Sequence, residues 1–139
     1  MQWFGQLSRS QLARFFGLHH VAIFPSVHPE AFGIVAAEAI ASGLVLVTSG
    51  VGGAAELIED RVSGFRFKPG DASALAEVLA EICSITPEQL RSIAQRGEQR
   101  IRSQFSVEKA AAQLEQLFQA ALPDVNDANN SDSLGHITL

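Results

Sequence analysis

Residues 21–53 read VAIFPSVHPEAFGIVAAEAIASGLVLVTSGVGG, and this stretch decides the fold. Two short apolar runs, 21–24 and 44–48, bracket an Ala-rich segment at 32–42 whose composition is helical. Pro25 stops the first run, and Gly43 is placed to end the helix. Neither run alternates polar with apolar residues, which suits strands covered on both faces. Strand, helix and strand in that order predict a parallel pair joined by a crossover. In such sheets ligands sit outside the carboxyl ends of the strands, so the loops at 25–31 and 49–53 are the places where chemistry is expected.

Working outward, residues 2–4 form a short strand candidate and residues 8–18 a helix, with Ser8 as cap and Leu12, Phe15 and Phe16 on one face. Downstream, residues 54–59 read as a short helix after a glycine-rich loop, and 64–67 as a third strand. Helices then take over. Asp71 caps 72–85, where Leu75, Val78, Leu79 and Ile82 recur at three- and four-residue spacing. Thr86-Pro87-Glu88-Gln89 is a capping box with Pro in the first turn, opening a helix to about 104. A last helix opens at 106 and is expected to turn Leu114, Leu117 and Phe118 inward. The organisation predicted is one domain over 1–121 and a disordered acidic and polar tail over 122–139.

Composition narrows the function. Apolar residues make up 47% of the 139 and charged residues 18%, a globular balance that excludes wholesale disorder. No stretch approaches the ~18 uninterrupted apolar residues of a membrane span. The start, Met1-Gln2-Trp3-Phe4-Gly5, lacks a basic region and an apolar stretch of signal length, so a cytoplasmic location is expected. The single cysteine, Cys83, agrees with a reducing compartment. Residues 1–70 balance five basic against five acidic groups, and residues 71–139 supply the whole net charge of −5. That is no footprint for nucleic acid. An anionic ligand would have to be held by backbone dipoles more than by Lys and Arg.

The first loop offers such dipoles. Glu30 and Glu38 stand eight residues apart around the start of the 32–42 helix, a rise of ~12 Å if all helical. Between them lie the first free N–H groups of the helix, which favour an anion, and Gly33 has no side chain to keep a ligand away. Two carboxylates can flank a phosphate though neither can sit on it. The layout suits a ligand with hydroxyls at both ends and a diphosphate in the middle, the form of a nucleoside-diphosphate sugar. Taken alone, the residues leave a second reading open: a glutamate favouring the helix dipole and another on a solvated face. Against that reading, the helix is nearly all small and apolar, as if packed on both sides, and a half-buried Glu38 needs a partner. The second loop, Ser49-Gly50-Val51-Gly52-Gly53, allows either a close backbone approach to a ligand or simply a tight turn. Glu56 behind it suits loop N–H groups as well as a ligand.

The residues together resemble a known family. Pro25-Ser26, Glu30, Phe32-Gly33, Glu38-Ala39, Ala41 and Gly43, then Val47, Ser49, Gly52-Gly53 and Glu56, then Gly64-Phe65, follow the pattern of the donor-binding domain of retaining GT-B glycosyltransferases of family GT4, also called group 1. Phe105-Ser106 is similar to the family's F-S-W end motif, and the resemblance covers about residues 4–121. It implies a Rossmann-like parallel sheet flanked by helices, part of a GT-B C-terminal domain. It implies that Glu30 lies at the transferred sugar by the reaction centre, and that Phe32 and Gly33 lie beside the sugar hydroxyls. It further implies that the amides of Ile34 and Val35 meet the diphosphate, that Glu38 binds the ribose, and that Gly52 and Gly53 lie near the donor. Such enzymes generally need no metal, so no cofactor is implied. The partner implied is a nucleoside-diphosphate sugar.

Departures from the pattern qualify this. Leu44 stands where the family has Pro, Asp60-Arg61 where it has Asp-Gly, and Val107 where it has Trp. The chain as given holds no acceptor domain and begins after the donor domain's first strand and the Arg and Lys that follow it. The expectation is therefore a donor-domain fragment inactive alone, completed by a chain supplying the missing N-terminal portion. The alternatives are a non-catalytic nucleotide-sugar-binding module or a protein-interaction module.

Overall fold

A computed structural model describes residues 2–29 and 31–121. The described residues fall into two units, one up to Phe105 and one from Ser106.

The first unit opens with helix α1 (Arg9–Phe16). Ser8 Oγ accepts from the Gln11 N–H and the Gln11 side chain accepts from the Ser8 N–H, so two donors at the helix start are satisfied reciprocally. The Gly17 N–H donates to the Ala13 carbonyl and the Leu18 N–H to the Phe15 carbonyl, which closes the helix earlier than expected. No strand forms at 2–4. Phe4 instead packs edge-on against Phe15, with ring centroids 5.0 Å apart, so aromatic packing on α1 replaces pairing with the sheet.

Strand β1 (Val21–Phe24), helix α2 (Ile34–Ala41) and strand β2 (Val45–Thr48) follow as the sequence predicts. β1 and β2 pair parallel, with Val21 opposite Val45 and Phe24 opposite Thr48. A third strand, β3 (Phe65–Arg66), pairs parallel with β2 through Val47 and Phe65, giving the order β1-β2-β3. Helices α3 (Ala72–Ser84) and α4 (Pro87–Gln104) complete the unit. Asp71 caps α3 through the Ala74 N–H, and Thr86 with Gln89 forms the expected reciprocal cap on α4.

The core explains why β2 is an unbroken apolar run. Its residues are all buried. Leu46 packs on one side with Ala36, Ile40, Ala54, Leu57, Ile58 and Ile101. Val45 and Val47 pack on the other with Phe65, Phe67, Val78, Ile82 and Ile93. Successive side chains point to opposite faces, and helices cover both. Each fully buried Leu, Ile or Val here contributes about 1.5–3 kcal/mol.

The second unit, among described residues, is helix α5 (Val107–Ala121), whose first turn is held by Ser106 Oγ accepting from the Lys109 N–H. Leu114, Leu117 and Phe118 are exposed on it. No helix among the described residues is long and apolar enough to cross a membrane.

Candidate functional site

The site begins where β1 ends. Pro25 breaks the strand, and the chain returns to start α2 beside the carboxyl end of the sheet. Gly33 is the residue before α2 and holds φ 81°, ψ 55°, a left-handed conformation open to glycine and costly for other residues. This is why α2 starts at Ile34 and not at 32. Gly33 offers no side chain to cap that end, so among the described residues its first N–H groups have no side-chain cap. They carry the positive end of the helix dipole.

Beside this end lies an open cavity of about 590 Å³ lined by Phe24, Ala31, Phe32, Gly33, Ile34 and Val35. Its size falls within the range of about 300–1,000 Å³ of small-molecule sites. Four sequence-predicted residues, Phe32, Gly33, Ile34 and Val35, thus meet around one space. Ile34 and Val35 are 60% and 48% exposed, so α2 is not packed on both sides as its composition suggested. Only its Ala36, Ala39 and Ile40 face is buried.

The two carboxyl-end loops are tied together. Ser49 Oγ donates to the Ser26 carbonyl, the Ser49 N–H donates to the Phe24 carbonyl at 3.2 Å, and Ser26 Oγ donates to the His28 carbonyl at 2.9 Å. Gly53 is the closest point of approach. A Cβ built there would collide with the Ala31 carbonyl oxygen and lie 2.6 Å from the Phe32 Cα. Gly53 therefore supports the backbone that lines the cavity, while Gly52 starts a 3₁₀ turn over Gly52–Ala55 with φ 67°. That turn replaces the helix expected at 54–59. The Ala55, Glu56 and Ile58 carbonyls accept from Arg66 and Arg100 instead of from a following helical turn. The Glu56 side chain is exposed.

Glu38 lies farther along α2, on a second cleft of about 360 Å³ between α1 and α2, with Arg9, Leu12, Ala13, Phe16, Ala41 and Ser42. Its carboxylate is 38% exposed and accepts from Arg9 Nη2 at 3.4 Å. The partner a half-buried glutamate needs is thus Arg9, which no local pattern announces because it lies 29 residues upstream. Glu30, the candidate catalytic residue, lies outside the described residues. His19 stacks on Phe15 at 4.2 Å between centroids, with Nδ1 2.7 Å from the Phe15 carbonyl oxygen. Cys83 is exposed on α3.

Comparison with known proteins bears on the family and the fold. Residues 1–100 match the family described as glycosyl transferases group 1. The glycogen synthase of Mycobacterium tuberculosis is 32% identical over 117 residues, covering 84% of this chain and 28% of that protein. Among solved structures, the sucrose-phosphate synthase of Thermosynechococcus elongatus superposes with a TM-score of 0.76 at 32% identity, covering 86% of this chain and 30% of that one. Anabaena HepE in complex with UDP and glucose superposes with a TM-score of 0.72 at 26% identity, covering 81% of this chain and 30% of that one. The chain thus spans about three-tenths of the length of these relatives. With a matching family description over residues 1–100 and a parallel sheet that superposes on these structures, the chain belongs to the group 1 glycosyl transferases and carries part of their GT-B fold.

Proposed function

We propose that residues 1–121 are part of the donor-binding domain of a retaining glycosyltransferase and hold a nucleoside-diphosphate sugar. One observation carries this reading: the start of α2, which no side chain caps among the described residues, opens onto the cavity lined by Phe32, Gly33, Ile34 and Val35, with Glu38 farther along the same helix. In this reading the diphosphate lies on the Ile34 and Val35 amides, where the helix dipole favours negative charge. Phe32 and Gly33 border the sugar, Glu30 serves the reaction centre, and Gly52 and Gly53 back the loop. Glu38 accepts hydrogen bonds from the ribose hydroxyls and exchanges its exposed pairing with Arg9 for them. In transfer, the bond from the anomeric carbon to the diphosphate oxygen breaks, a bond to the acceptor hydroxyl oxygen forms, and the hydroxyl proton leaves with the diphosphate. The departing diphosphate keeps the electron pair, so donors fixed at the helix start act where charge develops. The UDP bound by the Anabaena relative supports the ligand class. The chain spans under a third of that relative, and on this reading it does not turn over alone and works with the portion that supplies the acceptor site.

Calorimetric titration with UDP, GDP and ADP tests this, repeated with Glu38→Ala and Glu56→Ala. Saturable binding weakened more by Glu38→Ala than by Glu56→Ala is the expected result. A ligand at about 100 times its dissociation constant adds about 2.7 kcal/mol of stability, so a melting shift confirms any heat. Equal losses in the two variants would remove the ribose role of Glu38. Binding to none of the three would remove the donor site from this chain.

A further inference from the structure

The segment leaving the glycine loop is irregular, yet its carbonyls are not left to solvent. Arg66 Nη2 donates to the Ala55 carbonyl and, at 3.3 Å, to the Ile58 carbonyl. Arg100 donates to the Glu56 carbonyl through Nη2 at 3.0 Å and Nε at 3.4 Å. Two guanidinium groups, one from β3 and one from α4, thus hold the carbonyl end of the 3₁₀ turn. Cations are favoured there, because the exposed carbonyls carry negative partial charge, and charge-assisted bonds are the stronger kind. The Arg66 stem also lies on the loop itself: a Cβ on Gly50 would fall 2.7 Å from Arg66 Cδ. Arg66 therefore spans both ends of the loop, Gly50 beneath its stem and Ala55 at its tip. Between those ends Gly53 rests against the Ala31 and Phe32 backbone, which lines the cavity at the start of α2.

We propose that Arg66 and Arg100 are positioning residues: together they clamp the 50–58 loop, and through Gly53 they fix the Ala31–Phe32 backbone that borders the donor cavity. The part concerning the donor rests on the function proposed above; the clamp itself does not. Neither arginine lines the cavity, and the bonds both make to the loop are to backbone carbonyls. Arg66 is the more critical of the two, because its stem and its head engage different parts of the loop. Lys in its place keeps a charge and a stem but loses the rigid planar head that holds one nitrogen, Nη2, between the two carbonyls.

Amide hydrogen exchange by mass spectrometry on the full chain tests this, with Arg66→Met, Arg66→Lys and Arg100→Met beside the native protein and a melting curve for each. Arg66→Met is expected to speed exchange at least tenfold in peptides covering 50–58 and 31–36, with β2 and α4 peptides unchanged. Arg66→Lys should restore part of the protection, and Arg100→Met should speed exchange at 55–58 more than at 31–36. Unchanged exchange at 50–58 would overturn the clamp. So would an increase spread evenly over the chain in step with a fall in melting temperature, since that is loss of global stability. Faster exchange at 50–58 with none at 31–36 would overturn the link to the cavity. Nucleotide titration of the native chain separates the two proposals. If it binds, Arg66→Met should weaken binding about tenfold. If it does not, the donor reading fails while the exchange data still decide the clamp.

Discussion

At the residue scale, backbone contact decides more than side-chain chemistry. Gly53 and Gly43 make the contrast. Gly53 faces backbone at the Ala31 carbonyl and at Phe32 Cα, neither of which can rotate away, whereas a Cβ on Gly43 meets nothing within 4 Å. Gly53→Ala should cost about 2–3 kcal/mol through forced backbone shifts. Gly43→Ala should cost only about 1 kcal/mol, the strain of its φ of 85°. Denaturant unfolding of the two variants checks the order, and equal costs would mean that the Gly53 contact relaxes freely. Arg61 is the second case. It holds φ 58°, the left-handed region that a glycine would enter without strain. It bonds Asp60 at 2.7 Å and Glu81 at 3.1 Å, and the Glu81 bond first, then the charge of Asp60, keep its pKa above the ordinary arginine value. These pairs are half exposed, worth about 0.2–1 kcal/mol each. Arg61→Ala keeps the strain and loses the pairs, while Arg61→Gly loses both. Arg61→Gly should therefore be the more stable of the two by about 1 kcal/mol in equilibrium unfolding.

At the element scale, three of the helices begin where capping residues stand. α1, α3 and α4 start at Ser8, Asp71 and Thr86, all legible in advance because a cap is a local contact between residues three apart. In the first turn of α4, Glu88 is held below the usual carboxylate range, chiefly by its backbone N–H and then by the Thr86 hydroxyl. A carboxylate lowered on folding adds stability above its unfolded pKa and loses it as pH falls through the folded value. Glu88→Gln should therefore be less stable than the native chain at neutral pH, with the difference closing below the ordinary glutamate range. Melting curves across that range check this, and a pH-independent difference would assign the loss to packing. The glycine-loop segment shows the opposite behaviour. Its composition reads as helix at 54–59, but Arg66 and Arg100 take its carbonyls, and a 3₁₀ turn at Gly52–Ala55 is all that forms. No local pattern could show this, because those arginines lie 8 to 44 residues away.

At the scale of the whole molecule, the chain spans under a third of its relatives, and the cavity at α2 is open. A transferase must exclude water and place an acceptor opposite the donor, and neither follows from residues around one helix start. Incubation of the chain with a panel of nucleotide sugars and simple acceptors should release no nucleoside diphosphate above water-only hydrolysis. Release above that level would show that this part of the fold suffices for turnover.

The sequence by itself determined the alternation of strands and helices, the parallel sheet, the caps and the loops at its carboxyl end. These follow from runs of apolar residues and from contacts a few residues apart, which a linear pattern records. Its resemblance to the family also marked Phe32, Gly33, Ile34 and Val35, which adjoin one another at the start of α2 and so share one space. Only the tertiary structure decided that Glu38 opens onto a separate cleft beside Arg9, that Gly53 props the backbone of Ala31 and Phe32, and that Phe4 packs on Phe15 rather than joining the sheet. Each of these is a contact between distant segments, set by how layers pack, and packing is a property of the folded chain that no single stretch of it contains.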